Sequence, residues 1–304
     1  MRVLSLSLRS AVLAGAALSV ATLTAGAQAD WAPVDRAMGR PGTTQPGEVH
    51  RYSFPRTDLR VMAGGVAVKP ALALGSWVAF KRMDGAGGRA MAMGDLVLLE
   101  SEVTPVLTKL QAVGVALTAL HNHLERESPR VMYLHIEAEG DPVRIAESVH
   151  AALGLTKTPP ASPPGAAAAS APGLDTARLA KVLGHGGKVS GGVYQVSVPR
   201  ADPVRLHGLE IPPGMGVATG INFQPTGAGR AATAGDFVLT ADEVSPVAAA
   251  LREGGIAVTA LHSHMLGEEP RLYFMHFWAV ADAEVLARTL RAALGHMKVR
   301  MPGA

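Results

Sequence analysis

Between Val103 and Val113 the apolar positions Val103, Val106, Leu107, Leu110 and Val113 recur at helical spacing, and from Val115 the rhythm changes. Val115, Leu117 and Ala119 then alternate with Ala116, Thr118 and Leu120, the two-residue period of a strand. Ser101 is a suitable cap for the helix, Pro105 is tolerated in its first turn, and Gly114 ends it. The charged segment Glu125 to Pro129 suits a hairpin loop leading into a further strand. Asp141-Pro142, an N-cap followed by a proline at the first helical position, opens a second amphipathic helix. The unit therefore reads strand, strand, strand, helix, strand, strand, helix.

The same unit occurs twice. Gly94-Asp95-Leu96-Val97-Leu98 matches Gly235-Asp236-Phe237-Val238-Leu239, and Glu102-Val103-Thr104-Pro105-Val106 matches Glu243-Val244-Ser245-Pro246-Val247. Asp242 stands where the first copy has Ser101, and Pro129-Arg130 recurs as Pro270-Arg271. Upstream, Ser53-Phe54-Pro55-Arg56 parallels Ser197-Val198-Pro199-Arg200. Thr156 to Gly173, rich in Pro, Ala, Ser and Gly, has almost no large apolar residue to place in a core and reads as a linker. The expected organisation is a leader over residues 1–29, a first repeat over 30–155, a linker over 156–173 and a second repeat over 174–304. Each repeat is expected to be α+β, a largely antiparallel sheet covered by helices.

Six histidines obey the repeat. His121, His123 and His135 form a His-x-His pair with a third histidine twelve residues on, and His262, His264 and His276 have the same spacing. Residues i and i+2 of a strand share a face. A hairpin centred near Ser128 places His135 opposite His121 and Tyr133 opposite His123, so that three imidazoles meet on one face. The same construction around Glu269 gathers the second trio. A slip of one residue would send the third histidine to the other face. Three neutral imidazoles are a site for a borderline metal with one coordination position left open, and zinc is the expected ion, one per repeat.

Several neighbours have chemistry to offer. Glu127 and Glu268, four residues past His123 and His264, can serve as a fourth ligand or as a catalytic general base. Asp95 and Asp236 can accept the free N–H of a ligand histidine or shape a turn. Arg130 and Arg271 can hold an anionic group, with an ion pair as the simpler role. Met91, Met93, Met265 and Met275 suggest copper as the alternative metal, but replacement of most of them in the other copy favours core filling. His50, His150, His185, His207 and His296 have no counterpart and read as surface residues. Trp278 stands where the first copy has Glu137, so the two trios need not be equivalent.

Composition narrows the setting. Arg2 and Arg9, the apolar stretch Ala11 to Ala25 and Ala27-Gln28-Ala29 have the form of a secretory leader with cleavage near Ala29, so the mature chain is expected to be periplasmic or secreted and to carry no stable membrane span. With no cysteine among 304 residues, disulfides and thiolate ligands are excluded. A net charge of +3 from scattered basic residues, with 4% aromatics, argues against a nucleic-acid surface. The partner is expected to be a small-molecule or envelope ligand.

VTALHNH and VTALHSH, the Pro-Arg hairpin, the GDxVL and EVxPV blocks and the YSFPRTDL and YQVSVPR strands resemble the LppY/LpqO family. Those are exported bacterial proteins, often lipoproteins, built from a domain of unknown function. The resemblance covers nearly the whole mature chain and implies export and duplication without naming a reaction. The chain departs from the lipoprotein members in lacking a cysteine at the cleavage site. The histidine spacing is also similar to the zinc site of acetolactate decarboxylase. The resulting expectation is an exported metal-binding protein, with metal-assisted hydrolysis or a lyase reaction as its activity. The alternatives are zinc or copper handling without turnover, or an envelope binding module with structural histidines.

Overall fold

The first half of the molecule runs α1 (Ala32–Met38), β1 (Thr43–Gln45), β2 (Val49–Pro55), β3 (Gly75–Arg82), β4 (Ala90–Leu99), α2 (Glu100–Gln111), β5 (Ala116–His121), β6 (Val131–Gly140) and α3 (Pro142–Leu153). The second repeats this order as α4 (Thr176–Leu183), β7 (Gly187–Ser190), β8 (Val193–Pro199), β9 (Ala218–Gly227), β10 (Arg230–Leu239), α5 (Ala241–Glu253), β11 (Ala257–His262), β12 (Tyr273–Asp282) and α6 (Ala283–Leu294). This computed structural model describes residues 30–301 except 84, 86, 161–170 and 172. The expected leader and most of the expected linker lie outside the described residues. Among the described residues no helix is long and apolar enough to cross a membrane.

Each half is an antiparallel six-stranded sheet, of order β1-β2-β3-β4-β6-β5 and β7-β8-β9-β10-β12-β11. The α+β duplication is therefore as the sequence indicates. Each half holds more elements than the pattern shows: a leading helix, a three- or four-residue edge strand, and a ribbon before the third strand (Met62–Ala63 with Val66–Ala67, Arg205–Leu206 with Leu209–Glu210). Those strands are too short for a period to register.

The helix starts also differ from expectation. Leu99 and Thr240 are the caps, two residues before Ser101 and Asp242. Glu102 and Glu243 explain the shift, because each carboxylate turns back to accept the N–H of the cap residue at 2.8 Å. The same carboxylates are the acceptors for two buried arginines. Arg56 Nη1 donates to Glu102 Oε2 at 2.8 Å and to the Val97 carbonyl at 2.7 Å. Arg200 Nη1 donates to Glu243 Oε2 at 2.6 Å and to the Val238 carbonyl at 2.9 Å. The repeated Pro55-Arg56/Pro199-Arg200 and Glu102-Val103/Glu243-Val244 blocks are thus two ends of one buried ion pair in each half. Asp141, by contrast, caps α3 as its sequence suggests, accepting from Val143 and Arg144.

The two faces of each sheet have different neighbours. In the second half Phe237, Leu239, Met275 and Phe277 pack under Val247, Leu251, Leu286 and Leu290 of its helices. The alternate positions Val238 and Phe274 pack instead with Ala79, Met91 and Met93 of the first half. Ala232 and Ala234 meet Val97, Tyr133 and the first ribbon's Ala63. The sheets therefore meet through the faces turned away from α2, α3, α5 and α6, with the short helix Pro70–Ala73 inserted there, and the apolar clusters between them belong to both halves. Polar stitches cross the same junction: Gln224 bonds the backbone of Ala67 and Lys69 at 2.8 Å, and Gln195 the carbonyl of Ala71 at 2.7 Å.

Candidate metal centre

Strands β5 and β6 carry the first histidine trio, β11 and β12 the second. His135 pairs with Ala119 rather than His121, and His121 pairs with Tyr133. The register is shifted by two residues from the expected one. An even shift preserves the face, so the three side chains still share one side of the sheet. The second half is equivalent, with His276 opposite Ala260 and His262 opposite Phe274. Both hairpins close through a cis proline, at Ser128-Pro129 and Glu269-Pro270.

The face they share is the one turned toward the other half, and all six imidazoles form a single cluster. Ring centroids lie 3.5 Å apart for His121 and His262, 3.7 Å for His123 and His276, and 3.8 Å for His135 and His264. The last two contacts are reciprocal, the third histidine of each half lying on the second of the other. Tyr133 and Phe274 floor the cluster, stacked at 3.4 Å on His123 and His264.

Three groupings place their ligand atoms within 4.8 Å of one another: His121/His123/His135, His121/His262/His276 and His135/His262/His264. Any two of these share a histidine, so this arrangement offers one complete three-histidine site at a time. The sequence could not show that the trios meet, because nothing in one repeat's pattern records which face abuts the other.

Proton bookkeeping gives the cluster its chemistry. His276 Nδ1 lies 3.0 Å from the Gly235 carbonyl and His262 Nδ1 3.1 Å from the Ser263 carbonyl. A carbonyl can only accept, so each Nδ1 carries the hydrogen and each neutral ring presents a bare lone pair at Nε2. Those two Nε2 atoms face each other at 2.8 Å, and His121 Nε2 is 3.2 Å from His276 Nε2. His135 is held in the same way by the Gly94 backbone, which leaves its Nε2 buried without a partner. His123 Nε2 and His264 Nε2 are also buried and unpartnered. Burial, then the neighbouring imidazoles, hold His121, His123, His135 and His264 well below the ordinary histidine value. Burial brings His262 down to about 4, and burial with His262 beside it brings His276 down to about 3. Three rings with bare lone pairs at Nε2, beside three more neutral imidazoles, are a donor set for a divalent cation.

The glycine of each Gly-Asp pair holds the third histidine, and a side chain there would collide. A Cβ on Gly235 would run into the Gly220 carbonyl of β9, and one on Gly94 would lie 2.9 Å from the Trp77 carbonyl. The aspartates stand in mid-strand, not in turns, on the same inner face. Asp95 Oδ1 is 3.9 Å from His135 Nε2 and its Oδ2 is 3.9 Å from His123 Nε2. Asp236 Oδ1 instead accepts the Gly220 N–H at 3.2 Å. Burial pushes Asp236 up to about 7, and burial with Asp236 nearby holds Asp95 well above the carboxylate range.

The remaining residues are placed as follows. Glu127 Oε1 is 3.4 Å from both the Asn122 amide and the Val131 N–H, and Glu268 Oε1 accepts the Leu272 N–H at 2.9 Å. Both carboxylates thus tie their own hairpin loops. Arg271 bonds Ser263 Oγ at 3.0 Å and Glu268 at 3.4 Å, while Arg130 lines a shallow pocket with Asn122, Arg126, Glu127 and Thr259. Met91, Met93 and Met265 fill the apolar cluster between the sheets, and Met275 the one under the helices. His50 and His185 are not surface residues, at 5% and 4% exposure. His50 stacks on Trp31 and bonds Asp35 at 2.8 Å, a packing role that an unrepeated residue in one copy could not reveal.

Fold and site together define a duplicated α+β protein with a buried histidine cluster where its halves meet. The chain belongs to the family described as Domain of Unknown Function (DUF1259), whose model matches it twice, over residues 32–155 and 177–296. No curated protein matches it. A solved structure described as a trimeric bacterial microcompartment shell protein, PduB, aligns over 86% of this chain and 96% of its own at 11% identity. Its TM-score of 0.24 carries no argument about fold or role.

Proposed function

We propose that this protein binds a divalent transition metal, zinc in the first instance, through the histidine cluster at the junction of its halves. The carrying observation is the pair of bare Nε2 atoms of His262 and His276 facing each other at 2.8 Å, with four further imidazole nitrogens, His121 Nδ1 and the Nε2 atoms of His123, His135 and His264, buried and unpartnered around them. Lone pairs so placed repel unless a cation lies among them, and burial disfavours the proton as that cation. Zinc held by three imidazoles supplies a Lewis acid that can polarise a carbonyl, the basis for hydrolase or lyase chemistry. The chain's own residues orient the donors: Gly94, Gly235 and Ser263 hold the Nδ1 hydrogens, and Tyr133 and Phe274 fix two ring planes. For Glu127 and Glu268, the loop-closing bonds support a structural role over an acid–base one.

Metal analysis of the purified, untagged chain tests this reading, beside a His123→Ala/His264→Ala variant. The arrangement of overlapping trios predicts about one equivalent of zinc per chain, whereas one site per repeat would give about two. Copper in place of zinc would favour the metal-handling alternative. A wild-type chain that takes up no metal after reconstitution would sink the reading.

The setting is part of the same proposal. The leader ending near Ala29 supports export, and the repeated motifs support a place beside the LppY/LpqO proteins. A mature N-terminus found by sequencing far from Asp30 would refute export by this leader.

A further inference from the structure

The two halves differ at the carboxylate nearest the histidines. Asp236 is paired across the sheet with Gly220, whose bare backbone lets the carboxylate fold down onto its N–H; a Cβ at Gly220 would lie 3.0 Å from Asp236 Oδ1. Asp95 is paired with Trp77, whose ring is taken up by the Arg51 guanidinium at 3.9 Å. Asp95 Oδ1 is buried with no hydrogen-bond partner, as are the two imidazole nitrogens beside the carboxylate, His135 Nε2 and His123 Nε2. Oδ1 stands 3.9 Å from His135 Nε2, and Oδ2 stands 3.9 Å from His123 Nε2, so the carboxylate spans the two rings. His135 Nε2 is a bare lone pair, and the Asp95 oxygen faces it across a gap too long for a hydrogen bond. Ligand atoms sharing a tetrahedral zinc lie about 3.3–3.5 Å apart, given metal–ligand bonds of about 2.0–2.2 Å. The gap is within a few tenths of an ångström of that separation.

From this geometry we infer that Asp95 is the fourth ligand of a metal site formed by His121, His123 and His135, and that the second half has no such closed site because Asp236 is committed to Gly220. This inference rests on the metal-binding reading above and deepens it. A site closed by four protein ligands holds its ion without an open position, so the first half retains metal rather than turning over substrate. The anionic ligand also offsets part of the ion's charge in a buried setting.

Cobalt(II), whose visible spectrum reports coordination, is the probe, titrated into the full-length apo-protein. Asp95→Asn is expected to weaken cobalt binding by about a hundredfold and to change the visible bands, while Asp236→Asn weakens it less than about tenfold with the bands kept. Asp95→Cys is the second variant: with no other cysteine in the chain, a sulfur-to-cobalt charge-transfer band in the near ultraviolet is direct evidence of coordination from position 95. Asp236→Cys is expected to lack that band. If wild-type protein binds cobalt while Asp95→Asn keeps its affinity and spectrum, or Asp95→Cys shows no charge-transfer band, Asp95 is not a ligand and only this inference falls. If the wild type binds no cobalt, the metal-binding reading itself falls.

Discussion

The halves of this molecule agree where the backbone is held and in the six histidines that meet at the junction, and disagree in the side chains around that cluster. Arg56–Glu102 and Arg200–Glu243 are the same buried pair, the Gly94 and Gly235 backbones hold the same histidine, and both hairpins carry the same glutamate tie. Yet Trp77 faces Asp95 where Gly220 faces Asp236, and Glu137 occupies the position of Trp278. A duplicated chain must solve one folding problem twice, and the solutions stay alike. The junction is a single place touched by two different copies, so the side chains around the shared histidines are free to differ between them.

The buried arginines offer the largest test of that likeness. Removing one partner of a buried ion pair leaves an uncompensated charge and costs about 3–5 kcal/mol. Arg56→Ala and Arg200→Ala should each lose stability in that range by urea denaturation. Arg56 should lose more, because Asp58 also pairs with it at 2.9 Å, against 3.5 Å from Asp202 to Arg200. A loss below about 1 kcal/mol in both would mean that neither pair stabilises its own half.

Next in size are the glycines beneath the histidines. Forcing a methyl group against a neighbouring strand costs about 1–3 kcal/mol. Gly235→Ala should fall at the top of that range, since its Cβ would run into the Gly220 carbonyl, and Gly94→Ala lower, against Trp77. Both should weaken metal uptake as well, because the same residues anchor His276 and His135. A melting curve with metal titration reads both effects. Lost stability with unchanged uptake would separate the backbone contact from the anchoring role.

How much of this was written in the sequence follows from the range of each signal. The helices over Val103–Val113 and after Asp141, the duplication and the six histidines are local patterns, and they were legible. The face shared by His121, His123 and His135 survived a register error of two residues because a strand's period is two. Ser101 misled as a cap because Glu102, one residue on, reaches back to Leu99. The merging of two trios into one cluster was not legible, since contact between halves leaves no spacing along the chain. The Arg–Glu pairs were visible as repeated residues and invisible as partners, lying 46 and 43 positions apart.

The smallest effect concerns the ribbons, which reach across the junction with different tips. The first ribbon places Gly64 beneath Trp278, where a Cβ would lie 3.1 Å from the indole nitrogen. The second places His207 at the corresponding turn, with Nδ1 2.7 Å from Glu139 and 3.9 Å from Glu137, while Arg89 stands 3.9 Å from Glu139. The bond to Glu139, with both carboxylates nearby, raises the His207 pKa above its ordinary 6.5. A histidine whose folded value is raised stabilises the fold fully below its unfolded pKa and loses that contribution as pH rises through the folded value. The side chain is 49% exposed, so solvent screening limits the gain to about 0.5 kcal/mol. His207→Gln should therefore be less stable than wild type by about that amount at pH 5.5 and indistinguishable from it at pH 9. An equal deficit at both values would show that His207 acts by packing alone.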